Sequence, residues 1–244
     1  MVRLDIDVIV TSGTPAALAA KRATRTIPIV MASGGEPAVA GIVTSLARPG
    51  GNVTGLYVMA PAEVGAQRVQ LLKAAVPRLS QVSVLWNAAD MQTPLIMRET
   101  QKAARDMRLQ LTSLEISRRI DSLDQLFETA ILGRTDALVV IEDLVTVTYR
   151  SRILDFAAMS RLPAIYPLRE FADEGGLMSY GADRRDLYRR AAGYVHRIFK
   201  GARPADLPVE PSTRFELVIN LKTAKALGLT IPQSVLLRAD QIIQ

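Results

Sequence analysis

Apolar and polar positions along the chain fall into short apolar runs of strand length, separated by longer segments with helical spacing. The runs at 8–10, 27–31, 53–57, 82–86, 109–116, 136–141, 162–166, 175–181 and 215–220 predict strands. Between them, helices are expected over 16–23, 38–46, 61–75, 95–107, 122–132, 147–160, 183–200 and 221–227. Pro15 and Pro37 stand at first turns, where a missing N–H costs nothing, and Gly201 and Gly228 stand at helix stops. Val8-Ile9-Val10 is an unbroken apolar run, the pattern of a strand covered on both faces. Strands alternating with helices of ten or so residues imply βαβ units, hence parallel sheets in an α/β fold. The connection at 77–81 reads as a crossing between lobes, and 204–211 as a proline-rich connector.

The residues just past each apolar run are chemically distinctive. The first run ends in Thr11-Ser12-Gly13-Thr14, and the second in Ser33-Gly34-Gly35-Glu36. Later runs end at Asn87, at Glu142-Asp143, at Tyr166 and at Ser179-Tyr180. Parallel topology puts all carboxyl tips of a sheet along one edge, where open α/β folds hold ligands. Any one of these residues also suits a cap or a turn. Their recurrence points to a cleft between two such sheets, lined by Ser12, Gly13, Thr14, Ser33, Gly34, Glu36, Asn87, Glu142, Asp143, Tyr166 and Tyr180.

Composition narrows the chemistry. With 244 residues, 49% hydrophobic and 22% charged, the chain can bury one large domain or two lobes. It has no cysteine, which excludes disulfides, thiol nucleophiles and thiolate metal sites, and one histidine, which excludes a multi-histidine cage. No metal or cofactor is expected. Net charge is +6 and the pI is near 9.8. The densest basic pairs (Arg118-Arg119, Arg184-Arg185, Arg189-Arg190) lack interleaved aromatics and read as solvated surface, not a nucleic-acid interface. No phosphate-binding loop, dinucleotide fingerprint or nucleophile elbow occurs. His196 reads as an ordinary helix residue and Trp86 as core. Adjacent Glu142 and Asp143 point apart on extended backbone, so one carboxylate holding a cation is expected over paired acid–base chemistry. The chemistry on offer is binding.

Several blocks together resemble a known family: DVIVTSGTPAALAAKRAT, IPIVMAS, SLARPGGNVTGL, LLKAAVPRLSQVSVLWN, LPAIY, GGLMSYGAD and FELVINLKTAKALGLTIP. They are similar to ABC transporter substrate-binding proteins of the periplasmic-binding-protein type I fold, in the branch of aromatic amino-acid binders. The resemblance covers essentially the whole chain. It implies two doubly wound, Rossmann-like lobes joined by hinge strands, a small solute bound between them, and membrane permease and ATPase subunits as partners. The lobes are expected at 1–79 with about 175–205, and at 80–174, with 206–244 as a hinge-crossing strand and helix. By position, the family's ligand contacts fall on Ser12-Gly13-Thr14, on 33–36, on Asn87 and on Asp143. First-lobe hydroxyls and helix-start amides would hold a carboxylate, and Asn87 with Asp143 or Glu142 an ammonium. The family usually carries an aspartate where Glu36 stands.

Family members begin with an export signal and further strand–helix units, neither of which precedes Asp7 here. The resemblance therefore implies a shortened first lobe with an exposed sheet edge at Val8–Val10, open to self-association. It also implies a periplasmic or membrane-anchored extracytoplasmic location. Two other readings stay open: a ligand-sensing regulatory domain of the same fold, and a carboxylate-dependent enzyme.

Overall fold

Each of the apolar runs forms a strand within a few residues of its expected place. In the computed structural model, which describes residues 5–58, 63–90, 93–116 and 122–244, the chain opens with β1 (Ile9–Ser12), α1 (Thr14–Ala23), β2 (Ile29–Ser33) and β3 (Val53–Tyr57). Then come α2 (Glu63–Ala75), β4 (Gln81–Trp86), α3 (Thr93–Asp106), β5 (Gln110–Glu115), α4 (Ser122–Leu132) and β6 (Ala137–Val140). The chain continues through α5 (Leu144–Thr148), α6 (Arg150–Met159), β7 (Ala164–Tyr166), α7 (Arg169–Asp173), β8 (Met178–Ala182) and α8 (Arg184–Phe199). It ends with β9 (Val209–Pro211), β10 (Phe215–Asn220), α9 (Leu221–Ala226), α10 (Gln233–Leu236) and β11 (Gln241–Ile243). The start of the helix expected at 61 and the pair Arg118-Arg119 lie outside the described residues.

The chain divides into two units: Met1–Met59 with Ala182–Phe215, and Ala60–Gly181 with Glu216–Gln244. Unit 1 holds a four-stranded sheet in the order β1-β2-β3-β9, parallel throughout. Unit 2 holds a seven-stranded sheet in the order β11-β10-β8-β7-β6-β4-β5, parallel at β4–β5, β4–β6, β6–β7, β7–β8 and β10–β11. These boundaries differ from the expected ones. The segment at 63–75 belongs to unit 2 because Val69, Leu71 and Leu72 of α2 are buried in the same cluster as Val82, Val84 and Ile96. β8 belongs there too, pairing with β7 through Ile165 and Met178.

Period-two alternation sorts the strand residues of unit 2 onto two covered faces. Val84, Val139, Ile165, Met178 and Ile219 face one cluster with α2 and α3, whereas Leu85, Val140, Ala164 and Tyr166 face another with α4 and α6. Unit 1 repeats this scheme. Ile29 and Met31 join Ala17 of α1 on one side, and Val30 and Ala32 join Leu187, Ala191 and Tyr194 of α8 on the other. β1 departs from the expectation of a strand covered on both faces. It lies at the sheet edge, and Val10 is 51% exposed.

Other departures have local causes. The helix expected over 38–46 is instead a turn at 37–41, with Ala40 N–H donating to the Glu36 carbonyl and Ile42 N–H to the Pro37 carbonyl. Gly41 adopts φ 67°, which ends the turn after one cycle, and Ile42 and Val43 are buried on the α1 side as loop residues. The helix expected over 147–160 starts earlier, at Leu144, and breaks at Tyr149 (φ −97°, ψ 22°). The β-branched run 145–148 is a poor helix former and depends on its cap. The proline-rich connector ends in β9, which pairs with β3.

Asp136 fixes where β4 and β6 begin. Its Oδ2 accepts from Ser80 N–H, Ser80 Oγ–H and Gln81 N–H, each at 2.8 Å. Burial works to raise its pKa, but these hydrogen bonds and the Lys73 charge outweigh it, so the net shift is downward. A depressed carboxylate contributes stability that is full above its unfolded pKa of about 3.9 and is lost as pH falls through the lower folded value. The stability difference between wild type and Asp136→Asn, followed by urea unfolding, is therefore expected to shrink below about pH 4. A difference independent of pH between 7 and 3 would contradict it.

Candidate functional site

In unit 1 the tips of β1 and β2 are tied together. The Ser12 and Ser33 hydroxyl oxygens lie 3.0 Å apart, Gly13 N–H donates to the Ser33 carbonyl at 2.9 Å, and Thr14 Oγ1 accepts from Gly35 N–H at 2.8 Å. Gly13 precedes α1 at φ 88°, a conformation that favours glycine, and no side chain caps the helix start. Thr14 and Gly34 are half-buried, Ser12 is exposed, and Ser33 is buried. The sequence-named residues of this unit thus form one continuous polar ledge at the start of α1. Glu36 is exposed beside it. The Tyr57 hydroxyl pKa is raised, first by burial and then by the Glu36 charge.

Unit 2 brings two of its candidates into direct contact. Asn87, just past β4, donates through Nδ2 to Asp143 Oδ2 at 2.6 Å, across neighbouring strands. Thr93 Oγ1 donates to the Asn87 carbonyl, and Ala89 N–H donates to Asn87 Oδ1 at 3.0 Å, which fixes the amide. Asp143 is 7% exposed and caps α5, its Oδ1 accepting from Thr146 N–H at 2.7 Å. Thr146 Oγ1 accepts from Asp143 N–H at 2.9 Å, which closes a capping box. A carboxylate offers about four lone-pair directions, so after these two bonds Asp143 keeps acceptor capacity for a cation. Glu142 beside it is half-buried.

The two tyrosines part company. Tyr166 is 1% exposed and stacks on Phe171, with ring centroids 4.8 Å apart and planes at 16°. Burial pushes its hydroxyl pKa well up. Contrary to expectation it is an internal packing residue, because its position on β7 turns it toward the α6 side of the sheet. Tyr180 packs on the opposite face and is half-buried. Its hydroxyl pKa is raised by burial, opposed by the Arg238 and Arg68 charges. His196 is exposed on α8.

The expected set omitted Arg68. Val64, Arg68 and Leu72 follow one another at i, i+4 and i+8 on α2, so this arginine sits in register with the apolar stripe. That spacing was the signal. Arg68 is 3% exposed, and its Nε donates to the Tyr180 carbonyl at 2.8 Å. Among the described residues no group of three histidine, aspartate or glutamate side chains could hold a metal ion, and no helix is long and apolar enough to cross a membrane.

Known proteins share this design. A family model described as ABC transporter substrate binding protein matches residues 1–243. A tyrosine-binding protein of Clostridioides difficile (strain R20291) is 28% identical over 229 residues, which is 91% of this chain and 63% of that relative. The chain therefore spans less than two thirds of that relative's length. A Streptococcus pneumoniae ABC domain solved in complex with L-Trp is 30% identical with a TM-score of 0.83, covering 99% of this chain and 80% of that one. A conserved domain protein from Vibrio cholerae O1 biovar eltor is 28% identical with a TM-score of 0.81, covering 98% and 79%. Two α/β units with polar strand tips, matched along nearly the whole length by that family model, mean that this chain belongs to the family of ABC transporter substrate binding proteins.

Proposed function

We propose that the chain is the solute-binding component of an ABC importer, acting outside the cytoplasm with membrane permease and ATPase subunits, and that its solute is an amino acid, most simply an aromatic one. The observation that carries this reading is the Asn87–Asp143 contact: a buried carboxylate, oriented by a cap and an amide, at the carboxyl edge of a parallel sheet. Such a group suits an ammonium. The ledge of Ser12, Gly13, Thr14, Ser33 and Gly34 offers hydroxyls and helix-start amides, which suit a carboxylate. Glu142 and Tyr180 complete the proposed set, and Glu36 borders it. The relatives that bind L-Trp and tyrosine support the solute class. The residues on offer suit binding and orienting a solute.

A thermal-shift screen of the chain against the common amino acids tests this. A solute at a hundred times its Kd adds about 2.7 kcal/mol of stability, or about 5–10 °C for a chain of this size. L-Tyrosine or L-tryptophan is expected to produce that shift, and Ser33→Ala to reduce it by at least half. If no amino acid moves the transition, the reading fails.

A further inference from the structure

Arg68 is a cation placed where the core should be apolar. Its α2 neighbours Val64, Val69, Leu71 and Leu72 are buried core residues, yet Arg68 itself is 3% exposed. Nε is occupied by the Tyr180 carbonyl, and Nη1 is buried with no hydrogen-bond partner among the described residues. Nη2 lies against Gly181, 3.6 Å from where a Cβ at that position would stand. The carbonyl of Tyr180 and the backbone of Gly181 are at the carboxyl end of β8, so the guanidinium sits along the same sheet edge as Asn87 and Asp143. A buried N–H of a charged group left without an acceptor is costly and rare in native structures.

We propose that Arg68 is an oxyanion subsite at this edge, presenting Nη1 to a carboxylate-type oxygen. The proposal rests on the solute-binding reading only for the source of that oxygen: either a second acidic group on the solute or a free small anion. Several observations fit a ligand better than a purely internal role. Burial lowers the Arg68 pKa to about 10, opposed by the charges of Glu142 and Tyr180, so the group stays protonated at neutral pH and its donor is always available. Glu142 compensates part of its charge through space. Guanidinium geometry presents paired N–H donors to a planar oxyanion, which a lysine cannot reproduce. A site that leaves a charged donor open also discriminates: a solute supplying the acceptor binds, and an isostere lacking it is rejected.

The test uses the full chain, labelled with 15N, and follows the arginine Nε–H signals, with Arg68 assigned by the loss of its peak in Arg68→Lys. The titrants are sodium formate as a free oxyanion, L-glutamate as a solute with a second acid group, and L-tyrosine and L-tryptophan with one. The Arg68 signal is expected to move saturably with formate, with L-glutamate or with both. In thermal-shift assays, Arg68→Lys and Arg68→Met are expected to lose at least tenfold in apparent affinity for the titrant that moves it. A response to formate alone assigns the subsite to a free anion; a response to L-glutamate alone assigns it to the solute. If no carboxylate moves the signal, or if both variants keep wild-type affinities, the proposal is overturned. Should the variants fail to fold, the wild-type Arg68 peak is assigned instead by its nuclear Overhauser contacts to Gly181, and the titration still decides. A formate response in a chain that no amino acid stabilises would sink the amino-acid reading while leaving this one standing.

Discussion

Asp143→Ala is expected to abolish stabilisation by the solute and, at the same time, to lower the stability of the free chain. A side chain that served only as a ligand contact could be removed with little effect on the apo protein. The structure gives Asp143 a second task, because its Oδ1 accepts from Thr146 N–H and its Oδ2 holds the Asn87 amide. Loss of an N-cap costs about 1 kcal/mol, and up to about 2 in protein hosts. Asn87 Nδ2 also loses its acceptor, which brings the total to about 2–3 kcal/mol if it stays buried. For a chain of this size that is a fall of about 4–12 °C in Tm. Asp143→Asn separates the two roles in part: asparagine caps as well as aspartate, so the cap's share of apo stability returns, while its amide nitrogen cannot accept from Asn87 Nδ2 and the charge that suits an ammonium is lost. Apo and solute-saturated Tm values for wild type and both variants are the measurement. An Asp143→Ala chain that keeps its full solute-induced shift would remove Asp143 from the site.

Gly181→Ala should be among the most damaging single substitutions in the chain. An added Cβ would lie 1.8 Å from the Pro167 carbonyl oxygen, far inside contact distance, and what it meets is backbone, which cannot swing away. No unusual φ is involved; the constraint is close approach of β8 to the segment after β7. The strand must shift outward, and overpacking of this kind costs about 3 kcal/mol or more. The shift also disturbs the Tyr180 carbonyl that holds Arg68 Nε. Because the chain leaves unit 2 at Gly181 and returns to unit 1 at Ala182, the damage falls on a segment that passes from one to the other. Urea unfolding should show a lower midpoint with little change in slope. A loss under about 1 kcal/mol would mean that β8 has slack there.

Much of the candidate site was legible in the sequence because parallel strands have a direction. Once 8–10, 27–31, 82–86 and 136–141 are read as strands, the residues after them must lie along sheet edges, whatever the tertiary detail. Asn87 and Asp143 could thus be paired as candidates although 56 positions separate them, and the structure puts them 2.6 Å apart. Tyr166 shows the limit of that reasoning. It stands at a strand tip like the others, but which face a tip residue turns to depends on register, and a shift of one reverses it. Arg68 shows another limit. Its stripe position was visible, but its open Nη1 is a statement about every atom around it.

The sequence by itself determined the alternation of strands and helices, the parallel sheets and the polar tips, because local periodicity and covalent direction carry that information. Tertiary structure alone decided that α2 and β8 belong to unit 2, that 38–46 is a turn and loop and not a helix, that Tyr166 packs inward, and that a charged Arg68 sits inside an apolar stripe. These outcomes turn on which distant surfaces meet, and competition for burial among segments far apart in the chain leaves no local mark.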